Sequence, residues 1–383
     1  MRSLRKKRLF ASVFPVASLL VAGVLTVGVA SGASASSWWQ PGQITAWAYM
    51  IGYNSPITVP SFISSPTGSD PNTAVDIDLG DQDGMTSTCY AYATAPCPLT
   101  DGPTETSVNS IHAANAHAIC YVDVGTDETW RSDTTEFSSS EIGGPLSGWP
   151  DEYFINVNDW STPVSSGYET LQTIMTNRFA LCKAEGFDAI EADNVDAYTD
   201  GNLDLPGGAT ITMAGDEQYV QELAQTAHSM GLAYFLKNEI NGDSFITNEV
   251  GNVDGEIVEQ CWQYQECSAL DVFVQDGKPI MNVEYDSPSE STLCSEANAF
   301  PMASDSENLD VTSISYSCSE YGSGEQPYSS TSTPSSTAPS PTTPPSSTTP
   351  PSSTTTTIAP RRTTTTTVPP TTSTTRSYQR HYR

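Results

Sequence analysis

Between residues 38 and 322 the chain alternates short, nearly continuous apolar runs with longer amphipathic stretches. AICYVDV at 118–124 and YFINV at 153–157 are apolar almost throughout, as strands buried on both faces are. This pattern predicts strands at Val75–Leu79, Ala118–Val124, Tyr153–Val157, Ala189–Asp193, Ala233–Leu236, Glu256–Glu259, Pro279–Tyr285 and Thr312–Tyr316. Between them, Tyr168–Glu185 carries apolar residues at helical spacing and stops at Gly186, a C-cap residue. Asp216–Met230 behaves likewise, with an acidic first turn and Gly231 behind it. Eight strands interleaved with helices fit a (β/α)8 barrel, an α/β fold with a single catalytic domain. An open doubly wound sheet is the alternative. No G-x-G-x-x-G or P-loop follows the first predicted strand, which removes the usual nucleotide-binding reason for that fold.

Both ends of the chain read differently. Residues 1–35 have a basic start (Arg2, Arg5, Lys6, Lys7, Arg8), an apolar run and the small-residue site Ala33-Ser34-Ala35, the plan of a secretory signal peptide. The run from Leu9 to Ala30 is long enough to span a bilayer, so an uncleaved anchor is the alternative. The A-x-A site before polar sequence favours cleavage and no membrane partner afterwards. Residues 323–383 are mostly Ser, Thr and Pro. Such sequence cannot bury enough apolar surface to offset its ordering entropy, so a disordered tail is expected. A solubilising tail and a cell-wall tether are its two readings, on a secreted chain expected to be monomeric.

Charge narrows the partners. The chain has 15 basic and 45 acidic residues. Arg131, Arg178, Lys183, Lys237 and Lys278 are the only basic residues between signal and tail, whereas every acid lies before the tail's Ser/Thr/Pro run. A field of that sign repels nucleic acid and draws in cations. Solubility and a cationic substrate both fit it. All eight cysteines lie in the body, as expected of disulfides in a secreted chain. Short spacings suggest Cys89–Cys97 and Cys261–Cys267, with Cys120–Cys182 and Cys294–Cys318 for the rest; spacing alone does not fix the connectivity. No C-x-x-C or H-x-H cluster supports zinc, and His112, His117 and His228 lack metal-ligand spacing. Neither cofactor nor metal is expected.

Barrel enzymes keep their chemistry at the C-terminal ends of the strands. There the sequence places Asp76 and Asp78 (VDIDL), Asp123 (CYVDVG), Glu191 and Asp193 (IEADN), Lys237, Asn238 and Glu239 (FLKNE), Glu259 (IVEQC), and Glu284 and Tyr285 (NVEYD). One acid at a strand end is ordinarily a cap or a solvated loop residue, as Asp188 and Asp196 are read here. Acids or amides at six strand ends point to a shared cleft. Asp76, Asp78, Asp81 and Asp83 could instead supply calcium ligands, but EF-hand spacing and a closing Glu are missing. Trp130, Trp149, Tyr198, Trp262 and Tyr264 are core or sugar-stacking residues. No G-x-S-x-G elbow exists. Paired-carboxylate chemistry remains, which in a secreted barrel means glycoside hydrolysis.

CYVDVGTDETWRSD, GWPDEYFINV, GFDAIEADNVDAY, AHSMGLAYFLKN and EIVEQCWQYQEC resemble, in this order, the motif blocks of glycoside hydrolase family 114. The resemblance spans about Trp47 to Cys318. It implies a (β/α)8 endo-α-1,4-polygalactosaminidase whose catalytic pair maps to Asp193 and Glu259. Asp193 would be nucleophile, or the base that activates water, and Glu259 general acid/base. Asp78, Asp123, Glu191, Asn194, Asn238 and Glu284 would line a polysaccharide groove, with Asp78 facing a sugar ammonium. Trp149, Tyr198 and Tyr264 would stack on sugars. De-N-acetylated galactosamine is cationic near neutral pH, in keeping with the acidic body. The chain departs from the family pattern at Ala192, commonly Pro, and at Asp123, commonly a small residue; AWAYMIGYN keeps part of the aromatic-rich start. An inactive carbohydrate-binding or cell-wall barrel is the rival reading.

Overall fold

The computed structural model describes residues 38–63, 72–80, 103–149, 151–161, 169–200, 203–241, 244–285, 289–309 and 311–320. The predicted signal, the tail, the Cys89–Cys97 pair, Tyr168, Asp81 and Asp83 lie outside them. Nine strands form one sheet in chain order: β1 (Ala46–Tyr49), β2 (Thr73–Asp78), β3 (His117–Asp123), β4 (Ala189–Asp193), β5 (Ala233–Lys237), β6 (Gly255–Glu259), β7 (Ile280–Tyr285), β8 (Ala303–Glu307) and β9 (Ile314–Ser317). Neighbours from β1 to β8 pair in parallel, and β9 adds antiparallel to β8. β8 packs back against β1, so the sheet curls into a nearly closed (β/α)8 barrel.

Register explains what fills it. Tyr49 lies opposite Asp76, Asp78 opposite Tyr121, Asp123 opposite Asp193, Glu191 opposite Phe235, and Tyr285 opposite Glu307. Side chains alternate faces with period two, so these residues share the inner face with Trp47, Ile119, Ile257 and Met281. The outer face carries Ala48, Val75, Ile77, Val122, Ile190, Leu236 and Val258, which pack on the helices. The apolar floor is tight: a Cβ on Gly255 would come 2.7 Å from the Phe235 ring across the β5–β6 pair.

The main covering helices are α1 (Pro103–Ala113), α2 (Leu171–Glu185) and α3 (Met213–Ser229). Thr170 caps α2 by accepting from Thr173 N, and Gly186 ends it in the left-handed region at φ 95°. Thr212 caps α3 through Gly215 N. Arg178 of α2 is buried; its Nε and Nη2 hold Asp133 at 2.7 and 3.0 Å while Nη1 donates to the Asp123 carbonyl at 2.6 Å. One charged-group network thus fixes helix, loop and the end of β3. Disulfides join Cys120–Cys182, Cys261–Cys267 and Cys294–Cys318. The first ties β3 to α2.

Six predicted strands are barrel strands. Tyr153–Val157 is not: Glu152–Ile155 sits centrally in a separate antiparallel sheet with Thr126–Glu128 and Ile142–Pro145, inserted between β3 and α2. Thr312–Tyr316 corresponds to β9, outside the parallel set. The barrel strands absent from the prediction are β1 and β8. β8 reads ASDSE, yet Ser304, Asp305, Ser306 and Glu307 are all buried. A polar sequence in a buried strand defeats any rule based on apolar runs. Among the described residues no helix is long and apolar enough to cross a membrane.

Candidate active site

Asp193, Lys237 and Glu259 end β4, β5 and β6, and a non-glycine residue at positive φ follows each: Asn194, Asn238 and Gln260, all at 59°. Backbone in that region is uncommon outside glycine and gathers at functional sites. Here the kinks at Asn194 and Asn238 return polar groups to the acids. Asn194 N donates to Asp193 Oδ1 at 2.9 Å, and Asn194 Nδ2 to Asp123 Oδ2 at 2.7 Å. Asn238 Nδ2 donates to Glu259 Oε2 at 2.6 Å while Glu259 N donates to Asn238 Oδ1 at 2.8 Å. The turn after β3 passes so close to Asn194 that a Cβ on Gly125 would lie 1.6 Å from its carbonyl oxygen. Only glycine fits there.

Beneath these ends lies a buried charge layer. Lys237 Nζ sits 2.8 Å from Glu191 Oε1, 3.7 Å from Asp193 Oδ2 and 4.0 Å from Glu259 Oε2, and donates to Tyr49 Oη at 2.7 Å. Tyr49 Oη in turn donates to Glu191 Oε1 at 3.2 Å. Burial, then the neighbouring Glu191, push the Asp76 carboxyl well above the carboxylate range. A proton kept on Asp76 would let it donate to Glu191, which stands beside it. Burial also raises Glu191, against the pull of Lys237. The acids of IEADN are compensated by one cation from the next strand.

Above the layer opens a cleft. Tyr49, Tyr121, Asp193, Lys237, Glu259 and Tyr285 reach it from the barrel strands, Asp78 and Asn194 from their ends, and Glu128, Trp130, Leu146, Trp149 and Glu152 from the segment between β3 and α2. Tyr121 Oη donates to Asp193 Oδ2 at 2.8 Å, and Tyr285 Oη to Glu259 Oε1. Burial and the surrounding acids hold Tyr121 well above its ordinary pKa, so it remains a donor. Both carboxylates lie within 4.0 Å of one ammonium, so they converge on one open space.

Other residues expected at the groove fall into three groups. Asp78, Asn194 and Trp149 line the cleft. Asp78 is not a bare acid, because Arg131 grips both its oxygens at 2.9 and 2.7 Å. Glu191, Asp123 and Asn238 stand behind the surface as supports: Glu191 on Lys237, Asp123 under Asn194 and Thr126, Asn238 on Glu259. Burial, then the nearby Asp193 charge, raise Asp123 to about 6. Three others are not among the cleft-lining residues. Glu284 is buried and accepts from Trp262 N at 2.9 Å, fixing the helix Cys261–Tyr264. Tyr198 is stacked on Phe245 at 5.5 Å, and Tyr264 is 38% exposed on that helix. In the calcium reading, Asp76 is spent on Glu191 and Asp78 on Arg131.

Tyr49, Tyr121, Glu128 and Glu152 are absent from the residues that the sequence places at the strand ends, and Lys237 and Tyr285 stand there without a role. The period-two rule contained Tyr121 and Lys237, each an even number of residues from an inner-face residue on its own strand. Glu128 and Glu152 carried no such signal, since their strands belong to the inserted sheet.

A (β/α)8 barrel with acids gathered round one cleft at its strand ends has the architecture of a barrel glycoside hydrolase. The chain belongs to glycoside-hydrolase family GH114, which matches residues 28–321, and is an enzyme of that class. It is similar to Ega3 of Aspergillus fumigatus, solved in complex with galactosamine, at 25% identity over 73% of this chain and 97% of that one, with a TM-score of 0.54. The glycoside hydrolase domain of PelA from Pseudomonas aeruginosa is 12% identical over 70% of this chain and 95% of that one, with a TM-score of 0.44. No curated protein sequence matches.

Proposed function

We propose that this chain is a secreted hydrolase that cuts internal α-1,4 linkages of a cationic, galactosamine-containing polysaccharide, with Asp193 and Glu259 as its acid pair. The single observation carrying this is that both acids meet at one open cleft around Lys237, each anchored by a tyrosine hydroxyl. Asp193, fixed by Tyr121 and the Asn194 amide, is held ready as nucleophile, or as base for water. Glu259 acts as general acid/base. A tyrosine hydroxyl accepts as readily as it donates, so the Tyr285 contact survives protonation of Glu259. The similarity to a galactosamine-bound relative and the acidic body support the substrate. The signal-like start and three disulfides support secretion.

The test is incubation with de-N-acetylated α-1,4-galactosamine polymer, with products read by mass spectrometry. Shortened oligomers are expected from the wild type, and none from Asp193→Asn or Glu259→Gln at unchanged thermal midpoints. Full activity in either variant would sink the assignment. Retention on the polymer without shortening would favour an inactive binding barrel.

A further inference from the structure

Asp123 and Asp193 stand opposite each other at the ends of β3 and β4, on the inner face of the barrel. Asp193 reaches the cleft; Asp123 is not among the residues lining it and is 1% exposed. Four donors converge on this hidden carboxylate. Gly125 N and Thr126 N reach Oδ1 at 3.0 and 2.8 Å, while Thr126 Oγ1 and Asn194 Nδ2 reach Oδ2 at 2.6 and 2.7 Å. The backbone beneath is pinned as well: Arg178 Nη1 holds the Asp123 carbonyl at 2.6 Å, and Tyr219 Oη holds the Val124 carbonyl at 2.7 Å. The β3 end is thus the fixed side of the pair. Asn194 is the movable side, in the left-handed region at φ 59°, and its N–H meets Asp193 Oδ1 at 2.9 Å. Its side chain is tied back to Asp123 by a bond that the carboxylate charge strengthens.

We propose that Asp123 is a positioning residue for the cleavage reaction, steering the Asp193 carboxylate through Asn194 without touching the sugar. The inference rests on the functional reading above and adds a residue behind the acid pair. The route has two bonds, Asn194 Nδ2 to Asp123 Oδ2 and Asn194 N to Asp193 Oδ1. The first depends on charge. An ionised Asp123 only accepts, and all four of its neighbours donate. A proton on Oδ2 finds an acceptor in Thr126 Oγ1, whose hydroxyl can turn, but not in the Asn194 nitrogen. The Asn194 bond is then lost or its amide must turn over, and Asp193 loses a fixed partner. Burial, then the Asp193 charge, raise Asp123 to about 6, against the pull of the Thr126 and Asn194 bonds. Glu128 and Glu152 of the inserted sheet also face it, raised by burial to about 8 and about 10. Tyr121 of β3 and Tyr219 of α3 are held by burial well above the ordinary tyrosine pKa, and Arg178 stands at the Asp123 carbonyl. The group behind Asp193 that changes charge near pH 6 is therefore Asp123, and kcat should fall as pH drops through that value.

The experiment is steady-state hydrolysis of de-N-acetylated α-1,4-galactosamine polymer across the acidic and neutral range, read as reducing ends released. It compares the full chain with Asp123→Asn, Asn194→Gly and the double variant. Asparagine keeps the size of Asp123 and an oxygen for the two backbone donors; glycine keeps the left-handed backbone and N–H of Asn194 without its side chain. Asp123→Asn is expected to lower kcat about tenfold at neutral pH, the difference between a charge-assisted and an ordinary hydrogen bond, with KM unchanged. The unmutated chain should lose kcat as pH falls through about 6, and that step should be absent from both single variants. The double variant should match the slower single one, because both substitutions cut the same route. Unchanged kcat in Asp123→Asn, a rise in KM at constant kcat, multiplying losses in the double variant, or a pH step that persists in Asn194→Gly would each overturn the proposal. The last result decides even where Asp123→Asn does not fold. Any of these, with cleavage by the unmutated chain, leaves the hydrolase reading intact; no cleavage at all sinks that reading and this inference with it.

Discussion

Lys237 Nζ lies 2.8 Å from Glu191 Oε1, an ion pair sealed inside the barrel directly beneath the cleft. Lysine and glutamate are rarely fully buried unless paired, and removing one partner leaves the other charge stranded. Lys237→Met is therefore expected to cost about 3–5 kcal/mol, measured as a lowered urea midpoint at constant slope. Activity should drop by about a hundredfold or more, because Asp193 and Glu259 lose the charge they share. Asp76→Asn is the contrasting case. Burial and Glu191 push the Asp76 carboxyl well above the carboxylate range, and an amide can donate to Glu191 as a protonated acid would, so its cost should stay within about 1 kcal/mol. Equal destabilisation by the two variants would contradict this charge layer.

The tyrosine hydroxyls on the acid pair predict a separation of kcat from KM. Tyr121→Phe takes away the donor to Asp193 Oδ2 and keeps the ring in place. A hydrogen bond to a charged group contributes about 1.5–3 kcal/mol, so kcat should fall about ten- to a hundredfold. KM should change little, since the ring remains in the cleft wall. Tyr285→Phe should act similarly through Glu259. A rise in KM at constant kcat in both variants would mean that these hydroxyls bind sugar.

How far the sequence reveals this site depends on the inner face. Asp193 and Glu259 stand at the ends of apolar runs, so strand prediction alone puts them on one rim. The apolar runs predict eight strands although β1 and β8 are not among them, because Glu152–Ile155 and β9 take their places in the count. The order of β4 and β6 survived, because one omission and one false strand both precede β4. β8 was illegible because Asp305 and Glu307 read as solvent residues although the barrel buries them. The role of the cation is harder to read from sequence. Lys237 was visible at a strand end, but only inter-strand register aligns it with Glu191 and Asp193, and register is a long-range property. Likewise Tyr198 and Glu284 lie close in sequence to site residues, but tertiary packing engages Tyr198 with Phe245 and Glu284 with Trp262 N.

Close approach at the rim gives a backbone prediction. Gly125→Ala adds a methyl that would lie 1.6 Å from the Asn194 carbonyl oxygen, so one of the two strand ends must move. The turn after β3 is anchored by Asp123, which accepts from Gly125 N at 3.0 Å and Thr126 N at 2.8 Å. Asn194, with its kinked backbone, is the easier one to displace, and with it Asp193. Activity should be lost, and the melting midpoint lowered by several degrees. Near-normal turnover in Gly125→Ala would show that the spacing of β3 and β4 ends is not critical.

The buried acids set how stability follows pH. Burial raises Glu256 and Asp305 to about 8, whereas in an unfolded chain such groups titrate near about 4. Between those values the folded state keeps protons that the unfolded state has released, so stability falls as pH rises. His112, raised by its bond to Asp188, adds to the trend: its contribution is present below about 6.5 and is lost at higher pH. Asp188 works the other way. Burial opposes its ionisation, but bonds from His112, His117 and Ala118 N outweigh that and hold it well below the usual range. Its stabilisation is present above about 4 and is lost on acidification. The melting midpoint should therefore peak near pH 5 and drop by at least about 5 °C by pH 8, measured by calorimetry. Glu256→Gln keeps an acceptor for the Glu239 amide while removing the titrating group, and should flatten the alkaline arm. A midpoint that climbs steadily from pH 5 to pH 8 would mean that these acids are already ionised in the folded chain.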